Sequence, residues 1–183
     1  MANRVYITFH AGIDSNTVQQ LIATCSQLVN QGHDELYFLL STPGGNVVSG
    51  VTLYNMLRAL PAKIIMHNVG NVDSIGNAVF LAADERYTCE HASFMFHGVG
   101  IPVNNHMEEK SARALVGDIL DSQLRIGAII ADRTTIKSSE VRKLFREART
   151  KDARTALADG IVGAIQDVTI PPGAPVVSLI FPA

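Results

Sequence analysis

"KIIMHNVGNVDSIGNAVFLAADE", residues 63–85, changes character at its middle. The first half is a run of apolar and β-branched residues, as in a buried strand, and the second half is made of small and apolar helix formers. Ser74 sits at the junction, four residues after Gly70 and two before Gly76. A strand turning tightly into a helix is the repeating joint of a parallel α/β sheet. The serine has two readings. It is a favoured helix N-cap. Alternatively, its hydroxyl projects from a tight turn toward the free N–H groups of the first helical turn, Ile75 among them, where a nucleophile would be assisted.

The same alternation extends outward from this joint. Upstream, "RVYITF" reads as a strand, and "AGIDSNTVQQLIATCSQLVNQG" as a helix capped by Asp14 or Ser15 and stopped at Gly32. "ELYFLLS" is short and nearly all apolar, the mark of a buried parallel strand. "TPGGN" is a turn, and "VVSGVTLYNMLRAL" a second helix ended by Pro61. Downstream, "YTCEHASFMFH" holds a further strand, and residues 107–131 form one long helical pattern. Having no strand to return to, that helix is expected to project and pack on another subunit. Two short helices, "SSEVRKLFREA" and "KDARTALADG", and a strand in "GIVGAIQDV" follow. The apolar tail 170–183 contains prolines, which suit an edge strand or an arm across a partner. With no repeat, low-complexity tract or linker, residues 1–183 read as a single α/β domain.

Composition limits the function classes. The chain is 47% hydrophobic and 17% charged with a net charge of -2, which suits a soluble protein with a large interior or subunit interface. The one basic stretch, "VRKLFREARTKDAR", is mixed in sign and reads as a solvated helix face, so nucleic acid is not expected. Cys25 and Cys89 lack CxxC or metal-ligand spacing; two reduced thiols suit a cytosolic setting. No signal peptide is expected from "MANRVYITFHAG", and no apolar run approaches the ~20 residues that span a bilayer.

Ligand sites in parallel sheets lie at the carboxyl ends of strands. Three strand ends carry suitable residues: "STPGGN", where Gly44 and Gly45 can present N–H groups; the Ser74 turn; and "FMFHGVG", which ends a strand on His97. A histidine so placed can accept the serine proton and return it to a leaving amine. His10, His33, His67, His91 and His106 have no comparable setting, and no pair has metal-ligand spacing, so neither metal nor cofactor is expected.

In this order, "STPGGNVVSGVTLYNML", "GNVDSIGNAVFLAA" and "FMFHGVG" resemble the Clp protease proteolytic subunit family of serine peptidases. That family has a Ser-Pro-Gly-Gly turn, a Gly-x-x-x-Ser-x-Gly nucleophile turn and a Met-x-His strand end. The resemblance runs collinearly from about Val5 to Val168 and includes "ALADGIVGAI" with Gly160. It implies a crotonase-like spiral of ββα units, with residues 107–131 as an oligomerising handle and subunits assembled in rings. It further implies Ser74 as nucleophile, His97 as general base, Gly45 and Ile75 as oxyanion donors, Gly44 and Gly98 along the substrate, and a peptide or unfolded protein as that substrate.

The sequence departs from the family in three places. The triad acid is an aspartate before the last helix; counting back from Gly160, that position holds Ala148. Glu147 beside it is the first candidate acid and Asp152 the second. Asp73 stands where the family has a small residue. The chain starts almost at the first strand, without the family's axial segment, so an unfoldase partner is not assumed. These departures motivate a second reading, a catalytically degenerate scaffold or regulatory subunit. A third, a crotonase-type acyl-CoA enzyme, rests on the related fold.

Overall fold

A computed structural model describes residues 3–103 and 106–181. The chain runs β1 (Arg4–His10), α1 (Ser15–Asn30), β2 (Glu35–Thr42), α2 (Val47–Ala59) and β3 (Lys63–Asp73). It continues through α3 (Gly76–Phe80), β4 (Glu85–Thr88), β5 (Ser93–Phe96) and α4 (Glu109–Arg133). It closes with α5 (Ser138–Glu147), β6 (Arg149–Asp152), α6 (Ala153–Ala158), β7 (Ala164–Ile165) and β8 (Val176–Leu179).

The sheet follows the order β6-β5-β3-β2-β1-β8, with β4 and β7 branching beside β3. Its described pairings are parallel except β5 with β6. The near-continuous apolar runs of β2 and β3 explain this arrangement, because both faces of a parallel sheet are covered. One face packs Phe9, Phe38, Val72, Phe80 and Phe94 into the main core beneath the helices. The other carries a smaller cluster of Tyr6, Tyr37 and Ile65 with Tyr87 and Ala174 against it.

Local chemistry sets the boundaries. Asp14 caps α1 through a capping box with Thr17, and Gly32 adopts a φ of 90° just past its end. Helix α4 buries only Ile126 and Ile130, near its C-terminal end, whereas Val116, Leu120 and Leu124 are exposed along the rest. Three details differ from the sequence reading. The segment 81–97 holds two short strands rather than one. The strand expected within "GIVGAIQDV" is only two residues long. Residues 149–152 form β6, where the sequence suggests a loop and the start of a helix; pairing with the open edge of β5 outweighs the weak strand propensity of "RTKD". The tail contributes β8, parallel to β1, and Phe181 packs edge-on against Phe9 with ring centroids 5.6 Å apart.

Candidate active site

Ser74 follows β3 directly and has a φ of 55°, the left-handed region that non-glycine residues rarely enter. It does not cap α3: the cap position is Ile75, without any side-chain hydrogen bond to the helix. The plain cap reading therefore fails. The strained turn is closed by a bond from Ser74 N–H to the carbonyl of Met95, 2.9 Å away on β5.

Close packing then explains the glycines. Gly44 has a φ of 85°, and a Cβ there would lie 2.6 Å from the Asp73 carbonyl oxygen and 2.7 Å from Ser74 Cβ. The "STPGG" turn is thus pressed against the serine turn. Gly45, with a φ of 148°, is packed on the Ile13 backbone, with Ile13 N–H donating to the Gly44 carbonyl and Asn46 N–H to the Ile13 carbonyl. Those bonds turn the Gly45 N–H away from Ile13. Among the described residues, the N–H groups of Gly45 and Ile75 reach no acceptor.

His97 arrives on the neighbouring strand. Asp73 pairs with Met95, so Ser74 and His97 leave adjacent strand ends on the same edge of the sheet. The histidine is half-buried, and neither its ring nor Ser74 Oγ makes a hydrogen bond to the described residues. Gly98 follows, its N–H donating to the Phe145 carbonyl at 2.9 Å. That bond ties the segment after His97 to the end of α5.

The carboxylates are engaged elsewhere. Glu147 accepts from Arg149 Nε at 2.9 Å, which holds its carboxyl below the usual range. Asp152 caps α6, accepting from Thr155 N–H at 2.8 Å, and hydrogen bonding by the Thr155 side chain, then by its backbone, lowers its carboxyl likewise. Asp73 accepts from Asn71 Nδ2 at 2.6 Å, and Asn71 in turn accepts from the Ser41 hydroxyl. None of the three bonds to His97 among the described residues. Ala148, with a φ of 50°, is the left-handed cap of α5 and lies just beyond the last β5–β6 pair, Phe96 with Arg149.

Asn77 escaped the sequence reading, and His67 entered it only as a histidine without a comparable setting. Asn77 is buried and donates to both the Ser74 and Met95 carbonyls, at 3.0 and 2.8 Å. His67, fully buried, accepts from the Tyr37 hydroxyl at 2.9 Å and donates through Nε2 to the Gln166 carbonyl at 3.0 Å. Burial keeps its pKa below the ordinary histidine value. Cys25 is buried, and desolvation pushes its thiol up to about 12. No cluster of metal-ligating side chains occurs among the described residues.

A strained serine turn, a diglycine turn and a histidine thus lie at neighbouring strand ends of one mixed α/β sheet. The family model described as Clp protease matches residues 1–169, and the chain belongs to that family, with its α/β fold. The chain is 25% identical over 175 residues to the ATP-dependent Clp protease proteolytic subunit 2 of Pseudomonas aeruginosa, covering 92% of this chain and 85% of the relative. It is 22% identical over 171 residues to the ATP-dependent Clp protease proteolytic subunit of Paracoccus denitrificans, covering 90% and 83%. The subunit of Nuphar advena matches more locally, at 26% over 89 residues. Membership in this family supports a serine peptidase function in general terms. No helix among the described residues is long and apolar enough to cross a membrane.

Proposed function

We propose that this protein hydrolyses peptide bonds through an acyl-enzyme on Ser74. The observation that carries the reading is the strained backbone of Ser74, held in place against Gly44 and beside the strand end that presents His97. Strain of this kind persists where the surroundings enforce it, and functional sites are where it gathers. In the first step Ser74 Oγ attacks the substrate carbonyl while His97 takes the hydroxyl proton. The oxyanion receives the N–H groups of Gly45 and Ile75; such a donor is worth ~2.7–4 kcal/mol in the transition state. His97 then protonates the departing amine, and water, activated by the same histidine, releases the acid.

Gly44 and Gly98 follow the strands that bring the diglycine turn and His97 to this site and are the candidates to border the substrate. Glu147 is the candidate to orient His97, once released from Arg149. The chain acts as a homo-oligomer through α4, where Val116, Leu120 and Leu124 recur every four residues as an exposed apolar stripe. The test is covalent labelling by a fluorophosphonate: an adduct at Ser74 supports the reading, and folded protein that takes up none overturns it.

One observation favours a second reading, a degenerate subunit that assembles without cleaving. Ala148 occupies the position of the family's triad acid, and the carboxylates of Glu147 and Asp152 are bonded to other groups. Normal assembly with no peptide cleavage, unchanged by Ser74→Ala, distinguishes it.

A further inference from the structure

The serine turn is fastened by a buried amide side chain, that of Asn77. Asn77 lies three residues after Ser74, on the one-turn helix α3, whose other residues Gly76, Ala78, Val79 and Phe80 are buried and without polar side chains. Its Nδ2 donates twice, to the Ser74 carbonyl at 3.0 Å and to the Met95 carbonyl at 2.8 Å. Its backbone N–H also donates to the Ser74 carbonyl, at 3.1 Å, and Ser74 N–H completes the ring of bonds to Met95. Its own Oδ1 is buried with no hydrogen-bond partner among the described residues. A buried acceptor left unpaired costs stability, so an amide retained there calls for an explanation beyond packing.

The peptide group supplies one. A trans peptide is planar, with its C=O and N–H directed oppositely. When Asn77 draws the Ser74 carbonyl into the interior, the N–H of the same peptide, that of Ile75, must face outward, where it reaches no acceptor among the described residues. The same amide grips Met95, two residues before His97, so it ties the serine turn to the strand that presents the histidine.

We infer that Asn77 is a positioning residue that fixes the Ile75 N–H as an oxyanion donor and holds the Ser74 turn in register with His97. This rests on the catalytic reading of Ser74 given above. Asn77 itself touches no substrate; it acts through the Ser74–Ile75 peptide.

Two measurements on Asn77→Ala test it. A peptide boronic acid, whose tetrahedral serine adduct places an oxygen at the oxyanion position, is titrated against wild type and variant beside the matching unreactive peptide amide. The variant is expected to bind the boronate about 10- to 100-fold more weakly, with the amide changed less than about twofold, because a misplaced donor is felt only by the tetrahedral species. Equal weakening of both ligands, or of neither, overturns the inference while leaving the catalytic reading standing. If the wild type forms no adduct at all, the catalytic reading falls. The clamp is then decided by the crystal structure of the variant: a Ser74–Ile75 peptide rotated from its present plane, or a Ser74 φ moved away from 55°, supports it, and an unchanged turn overturns it. Should Asn77→Ala not fold, Asn77→Ser, which keeps a single donor, carries the same measurements.

Discussion

His97 and Ala148 each sit one residue beyond the last rung of the β5–β6 ladder, which pairs Phe96 with Arg149. Alanine at that position offers nothing to orient an imidazole. Ala148 also has a φ of 50°, a conformation that aspartate and asparagine tolerate several-fold better than alanine.

Ala148→Asp therefore restores a carboxylate at the family's triad-acid position, one residue beyond the rung that precedes His97, at little backbone cost. An acid that sets the histidine tautomer is worth up to about 10⁴ in rate. At least a tenfold gain in the rate of Ser74 acylation is expected, followed by stopped-flow or quenched mass spectrometry. An unchanged rate refutes the idea that the missing acid limits this site.

Ala148→Gly separates conformation from chemistry. Relieving a left-handed alanine gains roughly 1 kcal/mol, or about 2–4 °C in a chain of this size. The melting temperature should rise while acylation stays at the wild-type rate.

Gly44→Ala tests the contact between the two turns. The new Cβ would lie 2.6 Å from backbone at Asp73, which no side-chain rotation relieves. Loss of Ser74 labelling is expected even in protein that stays folded by circular dichroism. Retained labelling would mean that the serine turn does not depend on the diglycine packing.

Buried His67 predicts a pH dependence of stability. Its folded pKa is lowered by desolvation, so below about 6.5 the unfolded chain binds a proton that the native state refuses. Stability consequently falls as pH drops below about 6.5 and is unaffected by this group above it. Chemical denaturation of wild type and His67→Gln between pH 7.5 and 5 checks the sign: the wild type should lose more stability across that range than the variant.

The sequence was most readable where pattern and chemistry agreed. The apolar runs of β2 and β3, the Asp14 cap and the periodic stretch of α4 announce a parallel sheet and one long helix. Ser74, Gly44, Gly45 and His97 were visible because each ends or follows a strand. What stayed hidden depends on contacts distant in sequence. "RTKD" has no strand pattern and becomes β6 only because β5 offers an open edge. Asn77 looks like any polar residue in a helix until Met95, 18 residues away, is brought to it. Glu147 and Asp152 are acids in sequence, but their roles depend on Arg149 and Thr155 beside them.

The central claim, that Ser74 is a nucleophile, is tested most directly by intact-protein and peptide mass spectrometry after treatment with a fluorophosphonate. One adduct per chain is expected, located at Ser74, abolished in Ser74→Ala and slowed at least tenfold in His97→Ala. Correctly folded protein that takes up no adduct at Ser74, or labels at the same rate without His97, contradicts it.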